Sequence, residues 1–303
     1  MHTQITIKSP ATTANLGPGF DCMAMALDLW NETTFKLIEK KQNIIEVTGQ
    51  GSENLSKNSE NLILKSFNIP FTKAKISPPY VKITCKNNIP IGKGLGSSSA
   101  AIISGLIAGN ELSAKKLTKN DLLLIANNLE GHPDNASATI FGGCQIVIKD
   151  QDKLISSSIP LSNELSTILF IPDINTVTKS SRKKLPDQIP LEDAVYNIGR
   201  TGLLIKSLMS NDYNNLNLAT QDKLHQQYRL IENPRINNIL KAATSYGALG
   251  AFLSGSGPTV LALAKNKEFT IGYEMAEAAA KSGIKGYIKI TKPAKKGTHI
   301  IKK

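Results

Sequence analysis

One segment rich in glycine and serine constrains the fold of this 303-residue chain more than any other feature of its sequence. Residues 90–101 read PIGKGLGSSSAA, and the chain stays almost entirely apolar up to Leu112. Glycines let the backbone approach a bound group closely, and an apolar run of this length favours a buried helix. The N–H groups of such a loop, and of the helical turn after it, are suited to bind an anion. The sequence therefore predicts a phosphate-binding loop that leads into a buried helix over residues 97–112.

The residues assigned to this loop are Pro90, Gly92, Lys93, Gly94, Leu95, Gly96, Ser97, Ser98 and Ser99. Serine hydroxyls can bind phosphate oxygens or Mg²⁺, and the lysine would add a positive charge. A loop that only caps a helix is the alternative. The GxxxxGK[ST] spacing of a Walker A loop is absent, as are the GxGxxGxV, HRDL and DFG sequences of protein kinases. The loop thus belongs to neither of these two classes.

The net charge of +12 raises the question of a nucleic acid partner, which the distribution of charge disfavours. Residues 1–150 hold 15 basic and 12 acidic side chains, residues 151–303 hold 21 and 12, and ten lysines lie within residues 265–303. Only four basic residues are arginines, and only 16 residues are aromatic. Base readout favours arginine, and single-strand binding favours stacked aromatics. We therefore expect a lysine-rich solvated surface and no nucleic acid partner.

No segment of the sequence is suited to a membrane or to secretion. The longest nearly apolar run, residues 100–109, has ten residues, against roughly 20 needed to cross a bilayer. The first residues, MHTQIT, lack the basic and apolar stretches of a signal peptide. The three cysteines are widely spaced and form no CxxC pair, which argues against a disulfide framework or a zinc site. A cytoplasmic location is expected.

The first half of the chain mixes strand and helix patterns. A strand is predicted over residues 4–8, with its end at Pro10. Residues 33–40 and 44–49 are predicted to pair with each other around the polar turn 41–43.

A capped helix is predicted over residues 118–129, with Thr118 as N-cap, Asp121 at N3 and Gly131 as the stop. A short helix is predicted to begin near Pro133, because proline is favoured in the first helical turn.

A polar run at residues 149–153 predicts a boundary between an N-terminal domain, residues 1–150, and a C-terminal domain, residues 151–303. The second half follows the order strand, helices, two strands, helix, strand, which is typical of a ferredoxin-like split βαβ sandwich. Its longest helix, residues 192–209, is predicted to pack inward through Val195, Ile198, Gly202, Ile205 and Met209.

Three motifs carry a resemblance to a known superfamily. The spacing PxxxGLGSS from Pro90 resembles the ATP loop of the galactokinase, homoserine kinase, mevalonate kinase and phosphomevalonate kinase (GHMP) superfamily. Residues 10–21, PATTANLGPGFD, are similar to the opening motif of homoserine kinases, and residues 253–259, LSGSGPT, are similar to the third motif of the superfamily. The resemblance implies ATP, Mg²⁺ and a two-domain α+β fold, in which a ribosomal-S5-domain-2-like N-terminal domain precedes the ferredoxin-like one.

Further strings favour the homoserine kinase branch. Mevalonate-type enzymes carry a lysine in the first motif, whereas residues 11–15 contain none. Residues 129–136, 177–186 and 222–229 are similar to homoserine kinase sequences. The resemblance implies ATP-dependent conversion of L-homoserine to O-phospho-L-homoserine, a step of threonine biosynthesis, by a homodimer. Another small-molecule kinase of the superfamily, of the mevalonate or sugar type, stays open, as does an RNA-associated basic protein.

Candidate roles follow from the chemistry of an amino-acid alcohol and from the resemblance. Arg182 and Arg229 are expected to clamp the substrate carboxylate, because guanidinium matches carboxylate geometry. The resemblance implies Asp21 and Asn15 for the ammonium group. It also implies a substrate-binding set of Thr178, Gly255, Ser256 and Gly257.

The remaining candidates concern the metal ion, the nucleotide and the transfer itself. Ser98 and Glu130 match the Mg²⁺ ligands of the family, and Asn61 matches a position near the nucleotide, with a helix cap as its alternative. Asn135 is expected to orient the acceptor hydroxyl, with His132 as a positioning residue. The resemblance implies catalysis without a committed base, and Asp134 is retained as the alternative base.

Overall fold

The computed structural model describes residues 3–113, 116–174 and 181–303, and the strands of this part of the chain form two sheets. Seven strands, in the order β11-β1-β2-β4-β3 with β5 and β6 branching from β2, form the first sheet. They are β1 (Gln4–Ala14), β2 (Met23–Leu37), β3 (Ile44–Gly49), β4 (Val81–Asn87), β5 (Cys144–Asp150), β6 (Lys153–Ile159) and β11 (His299–Lys302). Its helices are α1 (Leu62–Lys73), α2 (Ser97–Leu112), α3 (Lys119–Glu130) and α4 (Asp134–Phe141).

The second sheet confirms the predicted ferredoxin-like arrangement. Its four strands are β7 (Ser166–Pro172), β8 (Gly250–Leu253), β9 (Val260–Ala264) and β10 (Gly286–Thr291), and all of its pairings are antiparallel. Their spatial order is β10-β7-β9-β8, as expected when two strand–helix–strand units interleave. The helices of this half are α5 (Leu191–Ser210), α6 (Leu216–Ala219), α7 (Gln226–Arg229), α8 (Ile236–Ser245) and α9 (Glu268–Lys281).

Apolar side chains from both sheets share one core. Leu16 and Leu95 from the first half pack in the same buried cluster as Leu169 and Phe252 from the second. This shared cluster lies beneath the segments that carry the three motifs, and it therefore fixes the two halves of the chain relative to each other.

Local helix signals were predicted well. Helix α2 spans the predicted residues 97–112, and α3 carries a complete capping box between Thr118 and Asp121, with Gly131 in the left-handed conformation at its end. Helix α4 begins one residue later than expected, because Pro133 is its N-cap.

The predicted ends and pairings of the strands need two corrections. Strand β1 continues through Pro10 to Ala14, because a register shift after Pro10 accommodates this residue opposite Trp30. Strand β3 does not pair with β2: it pairs in parallel with β4, which lies between them. The connection through α1 makes this parallel pairing possible, since parallel neighbours need a long crossover.

The polar run at which a domain boundary after residue 150 is predicted lies inside the first sheet. Asp150 and Lys153 face each other across the turn of the β5–β6 hairpin, so the polar run 149–153 is a turn within the first sheet. In addition, β11 returns from the lysine-rich end to pair with β1. The chain thus changes sheet after residue 159 and comes back to the first sheet near residue 299.

The predicted inward stripe of the long helix α5 is wrong. The exposed fractions of Val195, Ile198 and Met209 are 61%, 72% and 56%. The side that faces the protein carries Asp193, Asn197, Leu204, Ser207 and Leu208. Polar residues occupy the inner side because they hydrogen-bond to loops, as Asn197 does to the carbonyl oxygen of Pro18 at 3.2 Å.

Candidate active site

The three motifs meet through main-chain and hydroxyl hydrogen bonds. The N–H of Thr12 donates to the carbonyl oxygen of Leu95 at 3.1 Å, and the N–H of Gly255 donates to that of Ala14 at 3.1 Å. The Ser254 hydroxyl donates to the carbonyl oxygen of Gly94 at 2.7 Å. Segments that lie far apart in the sequence thus enclose one cavity of about 550 Å³.

The glycine–serine loop has the geometry of an anion cradle. Gly92, Gly94 and Gly96 have φ angles of 69°, 74° and 67°, in the region that favours glycine. A Cβ at position 94 would lie 2.2 Å from the carbonyl oxygen of Ser254. Gly96 is the N-cap of α2 and provides no side-chain cap, so N–H groups of the first helical turn stay available to a ligand. Most of the predicted loop residues line the cavity: Pro90, Gly92, Gly94, Leu95, Gly96, Ser97, Ser98 and Ser99.

Lys93 is the exception within this loop, because it is not part of the cavity lining. Its ammonium group donates to the carbonyl oxygen of Ile174 at 2.7 Å, and burial lowers the pKa of this amine. The structure therefore shows Lys93 joining the loop to the second half of the chain, and it does not bring this charge to the predicted position beside the phosphates.

Glu130 ends α3 next to the serines of the loop. Its Oε2 accepts a hydrogen bond from the Ser99 hydroxyl at 2.5 Å. Burial raises the pKa of Glu130, and the hydrogen bonds from Ser99 and Ser98 together with the charge of His132 oppose this shift. The described residues contain no cluster of three or more His, Cys, Asp or Glu side chains suited to a metal ion. One carboxylate and one exposed hydroxyl, those of Glu130 and Ser98, nevertheless fit Mg²⁺, which usually takes few protein ligands beside phosphate and water.

A chain of hydrogen bonds links the start of α4 to the first motif. The Thr12 hydroxyl donates to Asn135 Oδ1 at 2.7 Å, and Asn135 Nδ2 donates to Asp134 Oδ1 at 3.2 Å. The same Asp134 oxygen lies 2.9 Å from His132 Nδ1, and the Asp134 side chain is buried. Burial by itself would lower the pKa of His132, but its hydrogen bond to Asp134 and the neighbouring carboxylates outweigh this effect and raise the pKa. The three candidates therefore act as one connected unit.

Charged side chains form another part of the cavity wall. Arg182 Nη1 and Nη2 donate to the two carboxylate oxygens of Asp21, each at 2.7 Å. The Asp21 N–H donates to Asn15 Oδ1 at 3.1 Å, and Asn15 Nδ2 donates to the carbonyl oxygen of Gly255 at 3.2 Å. The groups assigned to the substrate carboxylate and to its ammonium thus pair with each other.

Arg229 lies behind this pair and does not line the cavity. Its Nη1 donates to the carbonyl oxygen of Gly255 at 2.7 Å and to His225 Nδ1 at 3.0 Å. Its Nε is buried without a hydrogen-bond partner among the described residues. Desolvation lowers the pKa of Arg229 to about 10, an effect that the charge of Asp21 opposes and that of Arg182 strengthens. The expected two-arginine clamp is therefore divided into one arginine at the cavity and one buried beneath it.

The other predicted residues have mixed outcomes. Asn61 is a helix cap, since its Oδ1 accepts from the Ile63 N–H at 2.9 Å, and it also lines the cavity. Gly255 and Ser256 line the cavity, whereas Gly257 does not. Thr178 lies outside the described residues.

Two site residues were missed by the sequence interpretation. The Phe20 ring stacks on His225 with centroids 5.3 Å apart, and the guanidinium carbons of Arg182 and Arg229 lie 5.5 Å and 5.4 Å from its centroid. His225 is fully buried, and its Nε2 lies 2.8 Å from the carbonyl oxygen of Gly17. Both residues lie inside segments that resemble homoserine kinase sequences, residues 10–21 and 222–229. Their nearness in sequence to the charged candidates Asp21 and Arg229 was the signal that could have identified them.

Comparison with known proteins agrees with this geometry. Family models described as the GHMP kinases N-terminal domain and the GHMP kinases C-terminal domain match residues 61–143 and 201–279. A homoserine kinase of Caldanaerobacter subterraneus subsp. tengcongensis is 40% identical over 259 residues, which cover 86% of this chain and 83% of that protein. The chain belongs to the homoserine kinase family. A second member, from Moorella thermoacetica, is 37% identical over 97% of this chain and 99% of its own length.

Solved structures support the same assignment. The crystal structure of a homoserine kinase from Cytophaga hutchinsonii has a TM-score of 0.88 and 29% identity, and the alignment covers 99% of this chain and 98% of that one. A sugar kinase described as putative, from Campylobacter jejuni, shares the fold with a TM-score of 0.73 at 17% identity. The family membership and the two-domain GHMP fold identify the chain as an ATP-dependent kinase that phosphorylates an alcohol. None of the helices in the described ranges is long and apolar enough to cross a membrane.

Proposed function

We propose that this member of the homoserine kinase family transfers the γ-phosphoryl group of ATP to the hydroxyl of L-homoserine. The products are ADP and O-phospho-L-homoserine. The observation that carries this proposal is the ion pair between Asp21 and Arg182 in the wall of the cavity that the Gly94 loop also lines. An amino acid is a zwitterion, and this pair offers one counter-charge to each of its ends.

Binding of the acceptor is proposed to exchange one ion pair for two. The substrate carboxylate takes the place of Asp21 on the planar guanidinium of Arg182, and the ammonium group pairs with the released carboxylate. Phe20 supports Arg182 from one face, so the arginine keeps a packing contact during the exchange. Arg229 contributes its charge from beneath Gly255, where it holds the carbonyl oxygen of the third motif.

The phosphate end is proposed to hold ATP through main-chain groups. The N–H groups of the loop at Gly94 and Gly96 and the N-terminus of α2 face the triphosphate. Ser98 and Glu130 are the residues that would hold Mg²⁺, which when bound neutralises charge on the phosphates. Burial raises the pKa of Glu130, and a bound cation would oppose this shift by favouring the ionised carboxylate.

Transfer requires the acceptor oxygen to attack the γ-phosphorus in line as the bond to the ADP oxygen breaks. Asn135 is proposed to orient this hydroxyl, since Thr12 and Asp134 fix both ends of its amide. Asp134 remains the alternative acceptor of the hydroxyl proton, and His132 holds its Oδ1. Substitution of Asp134 by Asn separates these roles, because loss of a base removes the acidic limb of the kcat profile, whereas loss of orientation lowers kcat at every pH.

The supporting experiment is a coupled ADP-release assay on the purified chain with homoserine, threonine, mevalonate and galactose. We expect turnover of homoserine to exceed that of the last two compounds by at least about 1000-fold, because neither carries the two charges that the ion pair recognises. Threonine is an isomer of homoserine that carries its hydroxyl on Cβ instead of Cγ and has the same two charges, so it is a weaker test of selectivity. Fast turnover of mevalonate or galactose without turnover of homoserine would overturn the proposal.

Arg182→Ala tests the ion-pair exchange in the same assay. The KM for homoserine should rise about 10- to 100-fold, since a hydrogen-bonded charge contributes roughly 1.5–3 kcal/mol, and the KM for ATP should stay within about twofold. Arg235→Ala is the matched control, because this arginine donates to the carbonyl oxygen of Ser282 on the far surface. Unchanged homoserine kinetics in Arg182→Ala would remove the clamp from the mechanism.

Partners and location follow as further parts of the proposal. The small substrate is L-homoserine, the location is the cytoplasm, and two copies of the chain associate. The distribution of charge supports the absence of a nucleic acid partner, since the lysine-rich end contributes strand β11 and several scattered surface ion pairs such as Lys303 with Glu111.

A further inference from the structure

The first and third motifs bind two successive carbonyl groups of the glycine–serine loop. The carbonyl oxygen of Gly94 accepts a hydrogen bond from the Ser254 hydroxyl at 2.7 Å. The next carbonyl oxygen, that of Leu95, accepts from the Thr12 N–H at 3.1 Å. In a trans peptide, the C=O of one residue and the N–H of the next point in opposite directions. The N–H groups of Leu95 and Gly96 therefore point away from the two motifs that hold these carbonyl groups.

Both of these N–H groups are available to a ligand. Neither donates a hydrogen bond within the part of the chain that the structure describes, and both residues line the cavity. The side chain of Leu95 packs in the core shared by the two sheets, so its main chain is the part that a ligand can reach. Main-chain N–H groups that are shielded from water normally have a partner, and two of them in succession are suited to an anion.

The two contacts that orient the loop differ in kind. Thr12 contributes a main-chain N–H, which almost any residue would supply, whereas Ser254 contributes its side chain. Ser254 is fully buried, and its Oγ also lies 2.9 Å from Thr13 Oγ1. A hydroxyl has a single proton, and the shorter contact is the one to Gly94. Because glycine adopts many backbone conformations, the peptide between Gly94 and Leu95 can rotate unless this bond holds it.

We propose that Ser254 is a positioning residue for the nucleotide. Its hydroxyl fixes the peptide between Gly94 and Leu95, so that the Leu95 N–H donates to a phosphate oxygen of ATP. The third motif then acts on the phosphates through Ser254, in addition to the contacts with the acceptor that the resemblance implies for residues 255–257. This role rests on the proposed binding of ATP at the loop and is independent of which alcohol is phosphorylated.

Calorimetric titration of the full chain with ADP and with adenosine, both in the presence of Mg²⁺, tests this role. Only ADP carries the phosphates that the loop would bind. Ser254→Ala should weaken the binding of ADP about tenfold or more, as expected for one hydrogen bond to a charged group. The affinity for adenosine should stay within about twofold of wild type. In the kinase assay, the KM for ATP should rise while that for the acceptor changes less than about threefold.

Ser104→Ala is the matched control for the loss of a buried serine hydroxyl. Ser104 is also buried, donates to the carbonyl oxygen of Ala100 at 2.7 Å and lies 2.8 Å from Ser9 Oγ, within α2 and away from the loop. This variant should lower the melting temperature about as much as Ser254→Ala does, and its affinity for ADP should stay within about twofold of wild type. A fall in ADP affinity equal to that of Ser254→Ala would show that lost packing, not the orientation of the loop, is responsible.

Thr13→Val separates the two contacts of the Ser254 hydroxyl. Valine keeps the shape of Thr13 and removes its oxygen, so the bond to Gly94 remains and the affinity for ADP should stay within about twofold of wild type. Equal weakening of ADP and adenosine in Ser254→Ala, or an ADP affinity within twofold of wild type, would overturn the role of Ser254. A wild-type chain that binds ADP no more tightly than adenosine would instead overturn the proposed phosphate loop, and this role with it.

Discussion

Two parts of the cavity wall, the glycine loop (here the phosphate end) and the Asp21–Arg182 pair (here the acceptor end), are built by different means. The phosphate end consists of main-chain groups from one continuous segment, and its shape is set by three glycines with positive φ. The acceptor end consists of side chains that are 161 residues apart in the sequence, Asp21 and Arg182, which neutralise each other. The main-chain N–H groups of the loop are held in a fixed geometry before the ligand binds, whereas the two charges of an ion pair can each bind a new partner. The first end therefore supplies rigid binding of a common group, and the second supplies selectivity for the acceptor.

The largest effect should come from a side chain added to the cradle. In Gly94→Ala the new Cβ would lie 2.2 Å from the carbonyl oxygen of Ser254, so the loop has to move. We expect kcat/KM for ATP to fall by about 100-fold or more, because a displacement of about 1 Å at a reacting group costs this much. Steady-state kinetics with varied ATP measure the effect.

Gly283→Ala is the control for the backbone conformation alone. Gly283 has a φ of 69°, close to that of Gly94, and its nearest neighbour is the end of the Arg235 side chain at 3.5 Å. This variant should lose about 1 kcal/mol of stability from the left-handed conformation and keep its kinetics. A loss in Gly94→Ala no greater than that of the control would show that the loop is not a tight cradle.

A smaller effect, limited to the acceptor, should follow from removal of one charge of the ion pair. Asp21→Asn keeps the shape of the side chain and removes the proposed partner of the ammonium group. The KM for homoserine should rise about 10- to 100-fold, as expected for one charged hydrogen bond, with the KM for ATP within about twofold of wild type. Equal loss toward both substrates would contradict the division of the cavity into two ends.

The difference between a continuous segment and side chains from distant segments also explains which features could be predicted from the sequence. The phosphate loop, helix α2 and the capping box of α3 were predicted because their signals are local and their backbone geometry allows few alternatives. Strand pairing and the side of α5 that faces inward depend on contacts between distant segments. The pattern of α5 showed a stripe correctly but not its direction, because the inner contacts are hydrogen bonds from Asn197 and Thr201.

The candidate residues divide in the same way. Loop residues named from the motif line the cavity, with Lys93 as the exception. Arg182 and Arg229 were both placed near the substrate from their scarcity and their motifs, yet the sequence does not show that one of them is covered by Gly255. His225 was not selected, because a neutral histidine that accepts a hydrogen bond from an arginine has no sequence pattern of its own.

His225 links Gly17 of the first motif to Arg229. Neutral His225 can donate from Nε2 to the carbonyl oxygen of Gly17 and accept at Nδ1 from Arg229. In His225→Leu both groups lose a buried partner, and we expect the free energy of unfolding to fall by about 2–3 kcal/mol. The KM for homoserine should rise about three- to tenfold, with little change in the KM for ATP, because Arg229 lies at the acceptor end.

His225→Gln tests whether the role is one of positioning rather than of volume. Glutamine can donate to Gly17 with its amide, so part of the lost stability and homoserine affinity should return. Equal kinetic loss in both variants, or none in His225→Leu, would contradict a positioning role for this residue.

The smallest effect at neutral pH concerns the protonation of His225. Desolvation lowers the pKa of this imidazole to about 4, with Asp222 raising it and Arg229 lowering it, and the Phe20 ring covers one face. The unfolded chain, with an ordinary pKa near 6.5, binds more protons between these values. Stability from this group is therefore complete above pH 6.5 and is lost as the pH falls toward 4, by about 2 kcal/mol between pH 7.5 and 5.

Urea unfolding of wild type and His225→Leu at both pH values measures this loss of stability, since only the wild type contains the imidazole that causes it. Parallel pH dependence in the two proteins would mean that the imidazole binds protons equally in the folded and the unfolded chain, which would contradict its burial as a neutral group between Gly17 and Arg229.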